Sequence, residues 1–327
     1  MRIDFVFVSL LCAVVSSTAV ARAQQSKVSR VLIIMMEKQP VFAFPQIQGL
    51  RDRLGELGYV EGKNIIYDLL REETYDALRA SLKTVHKKAD VILPLSQAET
   101  AIAREVTNKI PIVFMPAGDP VGSGLIRSLA SPGNNLTGLA YVEPKVMAKQ
   151  LEVFKEFVPS LTQIVLLIAG SKESPTSDQT LVLVKKVAAQ LEMNLIEKPV
   201  KSLADAEHAV SALPKNATTG VFPICAGLFR GLKNMASIAI ERKLSTFGCS
   251  ANQVAEQGVL LAYAPDLYYI GTRAAWYVDR ILKGARPEEL PVETPRKFDL
   301  AVNLRTADAI GIKIPPEALQ RADKVTR

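Results

Sequence analysis

The residues best equipped for chemistry fall in two short stretches. Ser96 precedes an apolar-periodic run and has Glu99 three positions on, the signature of a helix start closed by a capping box. Such a start leaves backbone N–H groups free to hold a carboxylate, with the helix dipole favouring the anion. The plainer role is an N-cap worth about 1 kcal/mol, and one hydroxyl can do both. The second stretch, 110–141, reads as a short strand at 112–114, the Gly-rich turn Gly118-Asp119-Pro120-Val121-Gly122-Ser123-Gly124, and a short helix through Leu129. Pro132-Gly133-Asn134-Asn135 then breaks the helix, and an extended run follows at 136–141. Strand, glycine turn and helix start form the corner where α/β proteins place ligands. Asp119 offers a counter-charge for a ligand ammonium group, or else bonds its own turn before Pro120. No Gly-Lys-Ser/Thr follows, so the turn is not a phosphate loop.

Catalytic constellations find little support. His86 and His208 are the only histidines, both on predicted helices and without metal-ligand spacing. No G-x-S-x-G elbow and no cysteine–histidine pairing occurs. Cys225 and Cys249 each end a predicted strand. A disulfide and two free, strand-buried thiols are equally ordinary outcomes for them. With no histidine near either, they are not a metal site. Asn135-Leu136-Thr137 matches a glycosylation acceptor but reads better as a turn.

The elements that must position these residues are βα units. Apolar strands are expected at 31–35, 65–70, 90–95 and 111–114, with helices at 45–57, 75–86 and 96–107 between them. The pattern then repeats. Helices are expected at 145–157, up to 191, at 204–213 and at 228–242, and strands at 162–169, 194–199, 219–225, 245–249 and 259–264. A long amphipathic helix at 266–282, a Pro-rich connection, an extended segment at 297–303, a short helix at 306–310 and a Pro315-Pro316 tail complete the chain.

Residues 1–23 read as a secretory signal: Arg2, an apolar run at 5–15, and an A-x-A site at Ala21 and Ala23, with Cys12 lost on cleavage. The apolar run is short of the ~20 residues a membrane span needs. Removing Arg2, Arg22 and Asp4 takes two positive charges and one negative, so the formal charge falls from +7 to +6. These charges are scattered, without a basic run, which argues against a nucleic-acid partner.

Three motifs carry a family likeness: FPQIQGLRDRLGELGYVEGKNI (44–65), IPIVF…GDPVGSGLIRSLASPGNNLTGL (110–139) and YVDRILKGARPEELPVETPRKFDLAVNLRTADAIGIKIP (277–315). In order and spacing the chain resembles the substrate-binding proteins of bacterial ABC importers, the family that includes tryptophan- and tyrosine-type binding proteins. The likeness covers about residues 30–323. It implies an α/β fold of the type I periplasmic-binding kind, two Rossmann-like lobes joined by three hinge crossovers near 139–143, 263–266 and 290–295. Lobe one would hold residues 28–140 plus 264–290, and lobe two 141–263 plus 291–327.

In such a trap the ligand sits at the C-terminal ends of the strands, between the lobes. On lobe one this implicates Phe42, Ser96, Gln97, Asp119 and Pro120. On lobe two it implicates Ser171, Glu173 and Ala226, with Tyr141 and Tyr263 as stacking walls beside the hinges. Where the family commonly has an acid after the lobe-two strand, this chain has Cys225-Ala226. That points away from a simple amine site there, or moves the amine's partner to Glu173 or Asp119. The resemblance implies a monomeric, periplasmic, non-enzymatic protein without a cofactor. It would capture a small molecule such as an amino acid and present it to an ABC permease in the inner membrane. The alternatives are an extracytoplasmic sensor feeding a signalling receptor, or an exported hydrolase, which the missing nucleophile–base pair disfavours.

Overall fold

The computed structural model describes residues 28–36, 44–141, 143–169, 178–225, 229 and 231–327. Five of its strands are parallel neighbours in a first sheet: β1 (Ser29–Met35), β2 (Ile65–Arg71), β3 (Val91–Pro94), β4 (Ile112–Ala117) and β5 (Leu136–Ala140), in the order β2-β1-β3-β4-β5. The continuous apolar runs follow from burial on both faces. Along β1, Val31, Ile33 and Met35 join one core while Leu32 and Ile34 join another. Helices α1 (Pro45–Glu56), α2 (Tyr75–Val85) and α3 (Gln97–Val106) connect these strands. They cover opposite faces: Ile47, Leu50 and Leu54 of α1 enter the first core, Leu78, Leu82 and Ile102 of α2 and α3 the second.

Helix α4 (Glu143–Phe157) leads to a second sheet built from β6 (Gln163–Ala169), β7 (Asn194–Val200), β8 (Thr219–Pro223), β9 (Ser245–Gly248), β10 (Leu261–Pro265), β11 (Phe298–Asn303) and β12 (Lys324–Thr326). The order is β12-β11-β10-β9-β8-β6-β7, with β10 and β11 antiparallel. Helices α5 (Asp178–Gln190), α6 (Leu203–Ser211), α7 (Lys233–Glu241) and α8 (Ala251–Gln257) complete its βα units. Phe154 of α4 packs with Phe222 and Phe247 at ring separations of 6.3 and 5.3 Å.

The chain then returns. Helix α9 (Leu267–Leu282) lies on the first sheet, its Ile270, Ala274, Tyr277 and Val278 sharing a core with Ile47, Leu50 and Leu54. The two helix backbones touch: a Cβ on Gly271 would stand 1.9 Å from the Gln46 carbonyl oxygen, and one on Gly49 2.2 Å from that of Tyr268. After a 3-10 turn at Pro287–Glu289 the chain stays with the first sheet, Glu293 N–H donating to Gly138 (3.0 Å) and Ala140 N–H to Glu293 (2.8 Å). It then enters β11 of the second sheet and ends through α10 (Leu304–Ile310), α11 (Pro316–Leu319) and β12.

Three expected features are corrected. No helix runs through Leu129. The turn closes through Ser123 N–H to the Asp119 carbonyl, Gly124 N–H to that of Val121 and Ile126 N–H to that of Pro120, each at 3.0 Å, and Gly124 adopts a left-handed φ of +71° that stops it. Side chains then take the carbonyls that a helix would use, Arg104 bonding Gly124 and Asn134 bonding Leu125. The helix expected at 228–242 begins at Lys233, because the Leu232 N–H is caught by Gln257 Oε1 instead of entering a helical ladder. Asn135-Leu136-Thr137 opens β5 and is not a turn, with Asn135 Nδ2 donating to the carbonyls of Thr107 and Ile110.

Candidate functional site

Parallel strands end on one edge of each sheet, and the loops that follow them form a rim. On the first sheet β3 runs into Ser96 and Gln97, and β4 into Asp119 and Pro120. Ser96 is extended (φ −152°, ψ 169°) and caps α3, its Oγ accepting from Glu99 N–H at 3.3 Å. The Glu99 carboxylate, 1% exposed, does not return to the Ser96 N–H as a capping box would. It accepts from Leu95 N–H and Met36 N–H, both at 2.8 Å, and so ties the end of β1 to the end of β3.

Gln97 and Asp119 are brought together, with Gln97 Oε1 accepting from Asp119 N–H at 2.9 Å. Asp119 also shapes its own turn: Oδ1 accepts from Gly122 N–H (2.8 Å) and the carbonyl from Ser123 Oγ (2.6 Å). A Cβ at Gly122 would stand 2.1 Å from Asp119 Oδ2 and would push that carboxylate out of its turn. Pro120 is buried beneath this turn. One polar patch thus holds the start of α3 and the loop after β4 in fixed register.

Tyr141 and Tyr263 meet elsewhere, at the crossovers. Gln150 of α4, 1% exposed, donates from Nε2 to the Tyr141 hydroxyl (2.7 Å) and to the Tyr263 carbonyl (2.8 Å). Tyr141 is 8% exposed, so its ring is mostly packed, and the Tyr263 ring stacks on Phe298 at 5.1 Å. Alongside, Asp266 caps α9 through Oδ1 to Tyr269 N–H (3.0 Å) and pairs through Oδ2 with Lys297 (2.6 Å). Burial alone would raise the Asp266 pKa, but the Lys297 bond and the Tyr269 N–H outweigh it and hold it below the usual carboxylate value. The Arg273 guanidinium forks onto Glu293 at 3.0 and 2.5 Å.

On the second sheet the rim carries a disulfide, Cys225–Cys249, with Cα atoms 5.4 Å apart. Phe42, Ser171, Glu173 and Ala226 lie outside the described residues. His86 bonds the Leu82 carbonyl at the end of α2, on the edge opposite the rim, and His208 is exposed. A groove of about 340 Å³ lined by Gln48, Arg51, Asp52, Tyr59, Glu61 and Tyr67 lies beside edge strand β2, away from the rim, with Arg51 paired to Glu61. Among the described residues no group of acids, cysteines and histidines gathers to hold a metal ion. Among them, too, no helix is long and apolar enough to cross a membrane.

The model of the ABC transporter substrate binding protein family matches residues 34–326. The chain belongs to that family. It is a family of binding proteins, not enzymes. A curated relative, the tyrosine-binding protein of Clostridioides difficile, is 24% identical over 269 residues, 81% of this chain and 76% of its own length. Among solved structures, a conserved domain protein from Vibrio cholerae superposes with a TM-score of 0.81 at 28% identity, covering 92% of this chain and all of its own. An ABC domain from Streptococcus pneumoniae in complex with L-Trp does so with a TM-score of 0.77 at 22% identity, covering 90% of this chain and 99% of its own.

Gln150 and Gln253 are not singled out by the sequence, and Glu99 is singled out there only as a capping-box partner, not as the link between the ends of β1 and β3. A polar residue within an apolar stripe was the available signal: Gln150 lies between the buried Met147 and Leu151 of α4.

Proposed function

We propose that this chain is the periplasmic receptor of an ABC importer, closing two lobes on an amino acid and handing it to an inner-membrane permease. In this reading lobe one holds residues 28–140 plus 264–290, lobe two 141–263 plus 291–327, and a secretory signal at 1–23 delivers the protein. The observation that carries the reading is the joined rim of Ser96, Gln97 and Asp119 at the strand ends of a chain whose family binds transport substrates. The amino-acid class is supported by the tyrosine-binding relative and the L-Trp complex. N–H groups at the start of α3 suit a carboxylate, and the Asp119 carboxylate suits an ammonium group. Phe42, Ser171, Glu173 and Ala226 complete the proposed contacts. Ligand favours closure by the contacts it gains only in the closed state.

A thermal-shift screen of residues 24–327 with amino acids, nucleobases and small carboxylates tests this. A ligand at 100 times its Kd adds about 2.7 kcal/mol of stability. Ser96→Ala should weaken the hit without unfolding the chain. Asp119→Asn keeps an acceptor for Gly122 N–H while removing the charge, so it should penalise ligands bearing an amine. Unchanged affinity in both variants would move the site elsewhere.

A further inference from the structure

Cys225 follows β8 and Cys249 follows β9, on the edge where the parallel strands of the second sheet finish. We propose that their disulfide is a thiol–disulfide exchange site on the ligand-facing rim, and that opening it with a dithiol reductant weakens solute capture. This rests on the strand ends being the ligand site. Both cysteines are half-buried, neither fully enclosed, and a reductant's access to the bond is part of what the test reads.

The surrounding chain is held independently of the bond. Strands β8 and β9 pair in parallel, Gly220 with Ser245 and Val221 with Thr246. The side chain of Gln253, 2% exposed, makes a second tie across the same gap. Its Oε1 accepts from Cys249 N–H and its Nε2 donates to the Phe229 carbonyl, both at 2.6 Å. On the other side, Ile224 N–H donates to the Leu167 carbonyl at 2.9 Å. Reduction therefore leaves the sheet standing and the two thiols within reach of each other, while the covalent restraint on the rim is lost.

The exchange balances. One thiolate of the reductant attacks a protein sulfur, the Cys225–Cys249 bond breaks as a mixed disulfide forms, and the second reductant thiol resolves it. The protein gains two electrons and two protons as a pair of thiols, and the reductant leaves as its own disulfide. If the reduced rim keeps its binding geometry about a tenth of the time, the apparent Kd rises roughly tenfold.

The test titrates L-tyrosine and L-tryptophan into residues 24–327 by calorimetry, in oxidised, dithiothreitol-reduced and reoxidised protein and in the Cys225→Ser/Cys249→Ser double variant. Thiol alkylation and mass measurement report the state of the bond, and circular dichroism the fold. Expected are reduction without denaturant, retained fold, an affinity loss near tenfold shared by the double variant, and recovery on reoxidation. A bond that yields only in denaturant, a fold lost with it, or equal affinity in both states overturns the proposal. If neither amino acid binds the oxidised protein, the amino-acid reading fails by itself and hydrogen exchange decides the redox one. Faster exchange at residues 224–225 and 249–253 on reduction supports it, and unchanged exchange overturns it.

Discussion

Gln150 spends one amide nitrogen on two acceptors, and both lie where the chain changes lobes. Gln150→Leu keeps much of the volume but removes both bonds, to the Tyr141 hydroxyl and to the Tyr263 carbonyl, at a cost of about 1–3 kcal/mol. Urea denaturation should show a lower midpoint, and an unchanged midpoint would remove Gln150 as a link between crossovers. Asp266 makes the complementary electrostatic link. Its folded pKa lies below the unfolded one, so its contribution is present above the carboxylate range and lost as pH falls through the folded value. Asp266→Asn should therefore be less stable than wild type at pH 7, with the gap narrowing below about pH 4. At this scale the sequence speaks through local rules alone. Ser96 as a cap was legible because its partner is three residues away. The Gln150–Tyr263 bond spans 113 positions and the Glu99–Met36 bond 63, distances over which no spacing rule operates.

Two glycines of one helix pair argue the packing of elements. In Gly271→Ala the new methyl meets the backbone of Gln46, which cannot swing aside as a side chain would, so a loss of about 1–3 kcal/mol or more is expected. In Gly55→Ala, on the exposed side of α1, the methyl meets nothing within 4 Å and should add about 0.5–1 kcal/mol of helix stability. Parallel measurements of both by urea denaturation check the contrast. Two variants moving the same way would mean that α1 and α9 do not meet as described. The buried strands were legible because apolar runs over four to seven residues have few other readings. The lack of a helix after Gly124 was not, because Arg104 and Asn134, outside the segment itself, satisfy its carbonyls. Nor was β12, a three-residue strand whose only signal is its pairing with β11.

For the molecule as a whole, three passages of chain between the sheets lie beside one another, joined by Gln150, Glu293 and the Asp266–Lys297 pair. Bending confined to that strip would move two rigid lobes as bodies. Small-angle scattering should then show a smaller radius of gyration at saturating ligand with unchanged far-ultraviolet dichroism. A radius insensitive to a ligand that demonstrably binds would exclude closure. The return of α9 to the first sheet also sets an order of events in biosynthesis. Until residue 282 has emerged, Ile47, Leu50 and Leu54 lack the part of their core that Ile270, Ala274, Tyr277 and Val278 supply, and the amino-terminal lobe is half built. A first core that draws on residues 267–282 can close only after most of the chain exists, so the lobe that begins the sequence is not the lobe that can finish folding first.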